Sequence, residues 1–167
     1  MMIGGARDKF DKYEPLFKDL CVGDGYAYMG ESGAGHYVKM IHNGIEYGMM
    51  QAIGEGFEIL RNTHFDLDLA EVTRIYNNGS VIQSRLIGWL QNAYKEEGID
   101  LSAISGEVSH SGEGLWTVKE ARERYIQTPV IEGSLQFRID SQGNPSYAGQ
   151  VVSALRNQFG GHSVKKD

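Results

Sequence analysis

The stretch from Gly35 to about Arg61 constrains the fold more than any other part of the chain. Val38, Ile41, Ile45, Met49, Ala52 and Leu60 recur there at helical spacing, which predicts one uninterrupted helix of about seven turns. At about 100° per residue the apolar stripe centres near Val38 and Ile45 and is expected to face a core. Gly44, Gly48 and Ala52 follow at i+4 spacing on another side, where a second helix could come close. Lys39, Asn43 and Glu46 share a third, polar face. A long helix with three distinct faces needs neighbours on several sides, which favours a helical domain over a sheet.

The rest of the chain supports that expectation. Ala6 to Leu20 has helical periodicity, with Pro15 predicting a kink or a late start. Tyr26 to Met29 is short, aromatic and flanked by glycine, and reads as a strand. Asp68 to Tyr76 and Val81 to Glu97 read as helices, separated by the turn Asn77-Asn78-Gly79-Ser80. Thr117 and Glu120 have capping-box spacing and are expected to open a helix ending near Tyr125. Pro129 to Ile139 and Ser146 to Phe159 are the last two predicted helices. The expected fold is all-α, a multi-helix domain around one long central helix. It spans residues 31–167, and residues 1–30 form a short α/β piece before it. Glycine makes up 22 of 167 residues, several inside predicted helices. Each costs about 1 kcal/mol relative to Ala there, so close helix packing must offset it.

Charge and cysteine usage narrow the function classes. The net charge is −6, with Lys and Arg dispersed, so a nucleic-acid surface is not expected. Cys21 is the only cysteine, which forbids an internal disulfide and fits a reducing compartment. It has no neighbouring His in sequence and reads as structural. No apolar run reaches bilayer length and no signal peptide is visible, so a cytoplasmic protein with no membrane partner is expected. His36 and His42 lie on the long helix without a cysteine nearby, and no metal site is expected.

The polar face of the long helix has chemical potential. Lys39 and Glu46 are seven residues apart, a rise of about 10 Å. A Lys desolvated between helices can act as a base, and a Glu in the same cleft can donate a proton. Asn43 between them offers both a donor and an acceptor. Spacing alone does not separate this from a solvated helix face, the commoner meaning of a Lys and a Glu at i+7.

Longer motifs go further. The run GAGHYVKMIHNGIEYGMMQ, Gly33 to Gln51, resembles the signature helix of the 6-phosphogluconate dehydrogenase family. GSVIQSRL (Gly79 to Leu86), SGEGLWTVKEA (Ser111 to Ala121) and LRNQFGGH (Leu155 to His162) resemble three further segments of that family, in the family's order. The resemblance is to the shorter bacterial and archaeal form and covers nearly the whole chain. Residues 1–30 look like the end of the family's Rossmann-type NAD(P)-binding domain. The Gly-x-Gly-x-x-Gly loop of that domain is not in the sequence, so this chain is expected to bind no cofactor and to be inactive alone.

The resemblance implies oxidative decarboxylation of 6-phosphogluconate to ribulose 5-phosphate in the pentose phosphate pathway, with NAD or NADP as hydride acceptor. It implies Lys39 as the base and Glu46 as the acid. His42 and Asn43 would hold substrate hydroxyls and carboxylate, and Tyr47 and Arg138 the phosphate. Arg156 and His162 match tail residues that reach the neighbouring subunit's site, which implies a homodimer with shared sites. Ser111, Glu113 and Leu115 depart from long-form residues around the phosphate, as do Tyr125 and Gln127 further on, leaving the exact substrate open. Two other readings remain: a non-catalytic dimerisation or sugar-phosphate-binding module, and a related β-hydroxyacid dehydrogenase. The Glu46-Tyr47 pair and the Phe-Gly-Gly-His tail favour 6-phosphogluconate over the last of these.

Overall fold

A computed structural model of the chain describes residues 1–164. In chain order these form β1 (Met2–Gly4), α1 (Arg7–Leu20), β2 (Ala27–Gly30), α2 (Ala34–Arg61), α3 (Leu69–Tyr76), α4 (Arg85–Glu97), α5 (Glu113–Glu123), α6 (Pro129–Asp140) and α7 (Tyr147–Gly160). The fold is all-α apart from the two-stranded sheet, as the periodicity predicts. The described residues divide into two compact units. The first comprises Met1–Ile45 and Gly112–Gln127; the second comprises Glu46–Ser111 and the chain from Thr128 on. Helix α2 contributes its first turns to one and its remaining turns to the other.

In the first unit β1 and β2 pair in parallel, Met2 opposite Ala27 and Ile3 opposite Tyr28. Phe10 of α1 is buried against Phe17 and Tyr28, with ring centroids 5.6 and 5.3 Å away. Pro15 neither delays nor ends α1, which begins at Arg7 and continues to Leu20. The carbonyl that Pro15 cannot pair with belongs to Asp11, an exposed residue, so water can replace the lost bond. Gly35 lets β1 lie on the start of α2: a Cβ there would sit 2.4 Å from the Met2 carbonyl oxygen.

Helix α5 begins at Glu113, a turn before the expected capping box. Thr117 is therefore inside the helix, and its hydroxyl donates to the Glu113 carbonyl at 3.0 Å and to the Met40 carbonyl at 2.8 Å. It joins α5 to α2 rather than capping α5. Gly44 makes that contact possible, since a Cβ on it would lie 2.5 Å from Thr117 Cγ2. The close-packing role predicted for this glycine is realised.

The second unit holds the larger core. Phe57, Ile87, Leu90, Val151 and Leu155 are buried, and α4 packs on α7. Side-chain caps open three of its helices: Asp68 accepts from Ala70 and Glu71, Ser84 from Ile87, and Ser146 from Gly149. Because Ser84 caps α4, Val81 and Ile82 stay outside it and exposed, which shortens the predicted helix at its start. Tyr147 donates to the Ile99 carbonyl at 2.7 Å, so the phenol of Tyr94, 2.8 Å away, donates to Tyr147. Gly48 faces Val130 of α6, where a Cβ would come within 3.1 Å.

The apolar stripe of α2 does not face the core. Ile45 is 53% exposed and Met49 46%, while Tyr47, Met50, Gln51 and Phe57 are buried instead. The glycine side decides the orientation. Gly44, Gly48 and Gly54 admit neighbouring helices so closely that the residues flanking them become the inner face, whatever their polarity.

Candidate active site

The first turns of α2 carry a small polar cluster. Lys39, His42 and Asn43 occupy i, i+3 and i+4 and meet on one side of the helix. The Lys39 ammonium donates to Asn43 Oδ1 and lies 3.2 Å from His42 Nδ1. An ammonium only donates, so His42 accepts from it in the Nε2–H tautomer; in the other tautomer Nδ1 donates to Asn43 Oδ1 at 3.1 Å. Lys39 is exposed, not desolvated between helices as expected from the wheel.

Seven residues on, the helix enters the second unit with Glu46 and Tyr47. Tyr47 is buried, and the Arg138 guanidinium of α6 stacks on its ring, 3.4 Å from the centroid. Arg138 is 2% exposed and Arg156 of α7 6% exposed. Burying a cation is costly unless something answers its charge. Burial lowers the pKa of Arg138 to about 10. The Tyr47 side chain opposes that shift, Arg156 adds to it, and Glu46 also works against it. Arg138 stays cationic at neutral pH. Its Nη2 and the Tyr47 hydroxyl are buried and reach no hydrogen-bond partner among the described residues. A buried cation with spare donor capacity is chemically an anion site in waiting.

Arg156, expected to reach a neighbouring subunit, is placed here within its own unit and donates to Ser109 Oγ at 2.8 Å. His162 is half-buried after α7. Its carbonyl accepts from Asn157 Nδ2 at 3.1 Å and its ring meets Phe159 edge-on. No described contact brings it to Arg138. Sequence reading missed Ser109, whose role depends on a loop conformation that no spacing signals. Among the described residues no group of His, Cys, Asp or Glu is arranged to hold a metal ion. No described helix is long and apolar enough to cross a membrane.

The sequence matches the model of the 6-phosphogluconate dehydrogenase C-terminal domain over residues 35–65 and 61–167. The chain belongs to the 6-phosphogluconate dehydrogenase family. The YqeC protein of Bacillus subtilis is 50% identical over 165 residues, covering 99% of this chain and 55% of that protein. The protein of Haloferax volcanii named 6-phosphogluconate dehydrogenase, NAD(+)-dependent, decarboxylating is 42% identical, covering 99% and 56%. A decarboxylating 6-phosphogluconate dehydrogenase of Lactococcus lactis is 36% identical, covering 96% and 37%. The chain thus spans about half the length of the first two relatives. In this family member, Ala34 to Gln51 of the signature run lie on α2, and the tail motif spans the end of α7 and the two residues after it.

Proposed function

We propose that this chain is the substrate-binding and proton-transferring part of a decarboxylating 6-phosphogluconate dehydrogenase. The observation that carries the reading is the Arg138–Tyr47 stack, a buried cation with an unused donor, standing on the same helix that presents Lys39 and Glu46. A phosphate monoester would answer the charge of Arg138 and accept hydrogen bonds from its guanidinium and the Tyr47 phenol. Asn43 and His42, on the first turns of α2, are the proposed partners of the sugar hydroxyls and carboxylate.

Lys39, in its neutral amine form, takes the proton of the C3 hydroxyl as a hydride leaves that carbon, and the resulting β-keto acid loses carbon dioxide. Glu46 returns a proton to C1 of the enediol. Two helical turns separate base and acid, about the span of the reacting carbons plus their hydrogen-bonding partners. Asn43, already bonded to Lys39, holds the ammonium's direction. Hydride acceptance belongs to NAD or NADP. The described residues do not fit a dinucleotide: the pair β1–β2 has no further strand, and no glycine-rich turn of the Gly-x-Gly-x-x-Gly type is present. No step of this chain is therefore assigned to the cofactor, and the chain alone is expected not to reduce NAD or NADP.

The partner that completes the site is a second copy of the chain. Ile45, Met49 and Ile59 form an exposed apolar stripe on α2, beside a groove of about 540 Å³ lined by Met49, Phe57, Val81 and Ile82. The tail bearing His162 is the segment proposed to enter the neighbouring site. Sedimentation should find a dimer, and a monomer would remove the shared-site part of the proposal.

The chemistry is tested in a full-length enzyme containing this chain. Lys39→Met should lower kcat by about 10³-fold while 6-phosphogluconate binding changes little. Turnover at the wild-type rate would remove Lys39 from its role.

A further inference from the structure

The second half of α2 and helix α6, both in the second unit, border a cavity of about 530 Å³. That volume is within the range of small-molecule sites, about 300–1,000 Å³. The hydrogen-bonding capacity of its wall is one-sided. Gln51 lines the cavity and is 6% exposed. Its Nε2 donates to Glu55 Oε1 at 2.9 Å, which fixes the orientation of the amide. Gln51 Oε1 is left as a buried acceptor with no partner among the described residues. Glu55 and Asp140 also line the cavity, and both are exposed. Each accepts from a glutamine, Glu55 from Gln51 and Asp140 Oδ1 from Gln136 Nε2 at 2.8 Å. Neither carboxylate has a cationic partner among the described residues, and no Lys, Arg or His lines the cavity.

A buried acceptor without a donor is unfavourable, so its presence here calls for a ligand that donates. Two carboxylates on the same wall call for that ligand to be a cation. A primary ammonium has three N–H donors and no acceptor, and so matches a wall with acceptors to spare. The remainder of the wall suits an alkyl stem, since Ala52, Val130 and Phe137 supply apolar surface. Gly133 keeps the space open. It lies inside α6, where glycine is unfavourable, and packing does not demand it: a Cβ there would meet nothing within 4 Å. A bare metal ion fits less well. Among the described residues no group of three His, Cys, Asp or Glu is arranged to hold one.

We propose that the α2–α6 cavity is a binding site for a small primary aliphatic amine, its ammonium taken by Gln51 Oε1 and the carboxylates of Glu55 and Asp140 and its stem by Ala52, Val130 and Phe137. None of these residues is assigned to 6-phosphogluconate, and the inference does not rest on that reading. The exposed carboxylates attract the cation but are screened by water, so each contributes modestly. The buried oxygen of Gln51 gives the site its preference for a cation that donates hydrogen bonds.

The test titrates butylamine into the 167-residue chain at pH 7, followed by calorimetry and by the Gln51 side-chain amide signals in NMR. Tetramethylammonium carries the charge without N–H donors, and Nα-acetyl-lysine methylamide carries the same ammonium on a peptide. Butylamine should bind and shift the Gln51 signals, and tetramethylammonium at the same concentration should not. Gln51→Met should weaken butylamine about tenfold, as expected for losing one hydrogen bond to a charged group. Glu55→Gln should weaken it no more than about fivefold. Gly133→Leu should abolish binding by filling the cavity, while the melting temperature holds or rises because leucine is the better helix former. If Gln51→Met and Gly133→Leu both bind butylamine as tightly as wild type, the amine is held elsewhere and the site is wrong. Equal binding of tetramethylammonium would overturn it too, because charge alone would then be the cause. Tighter binding of the blocked lysine would contradict the assignment to a free amine and point to a protein side chain. Wild type that binds no butylamine ends the proposal.

Discussion

The two halves of helix α2 obey different rules. The first half, Ala34–Ile45, buries little beyond its glycines and displays Lys39 and His42 to solvent. The second half, Glu46–Arg61, buries Tyr47, Met50, Gln51 and Phe57 and supports the Arg138 stack. One helix therefore has an exposed polar end and a packed end. A reactive side chain needs room for substrate and for proton exchange. A phosphate anchor needs cations that cannot move.

The contrast can be broken by substitution. Phe57→Ala, in the packed half, should cost about 3–5 kcal/mol in urea unfolding, since Phe57 meets Tyr76 and Tyr94 at ring distances of 6.1 and 6.0 Å. A cost under about 1 kcal/mol would mean that this half is not the rigid one. Tyr147→Phe should cost about 1–3 kcal/mol, because Tyr94 and the Ile99 carbonyl both lose a buried partner.

The same phenols fix a pH dependence. Burial raises the pKa of Tyr94, helped by its bond to Tyr147, and burial is also the largest cause of the rise at Tyr147. The folded chain thus keeps protons that the unfolded chain releases near its ordinary value of 10. Stability should be undiminished by these groups below that pH and fall as pH rises beyond it. Unfolding midpoints between about pH 9 and 11 check the sign. The smallest effect belongs to the open half: Lys39→Met should change stability by less than about 0.5 kcal/mol. A larger loss would make Lys39 part of the scaffold.

Much of this was legible in the sequence, for identifiable reasons. The helices from Asp68 and Ser146 carry their capping residues in the sequence, and their starts lie within one residue of expectation. Gly44 and Gly48 announced close helix contacts, and both make them. The orientation of α2 was misread because apolar periodicity marks any dry surface, and an exposed stripe such as Ile45, Met49 and Ile59 satisfies it as well as a core does. Thr117 was misread as a cap because its real partner, the Met40 carbonyl, lies 77 residues away. Lys39, Asn43 and Glu46 could be found from one helix wheel. Ser109 could not, since its partner Arg156 is distant in the chain.

The most direct test of the account is a paired titration of 6-phosphogluconate into the wild-type chain and Arg138→Met. A methionine of similar reach removes a buried charge whose desolvation is unfavourable, so the melting temperature should hold or rise. Affinity should nevertheless fall by at least about tenfold with the loss of the charged donor. A folded Arg138→Met chain that binds 6-phosphogluconate as tightly as wild type would contradict the claim that the Arg138–Tyr47 stack anchors the substrate's phosphate.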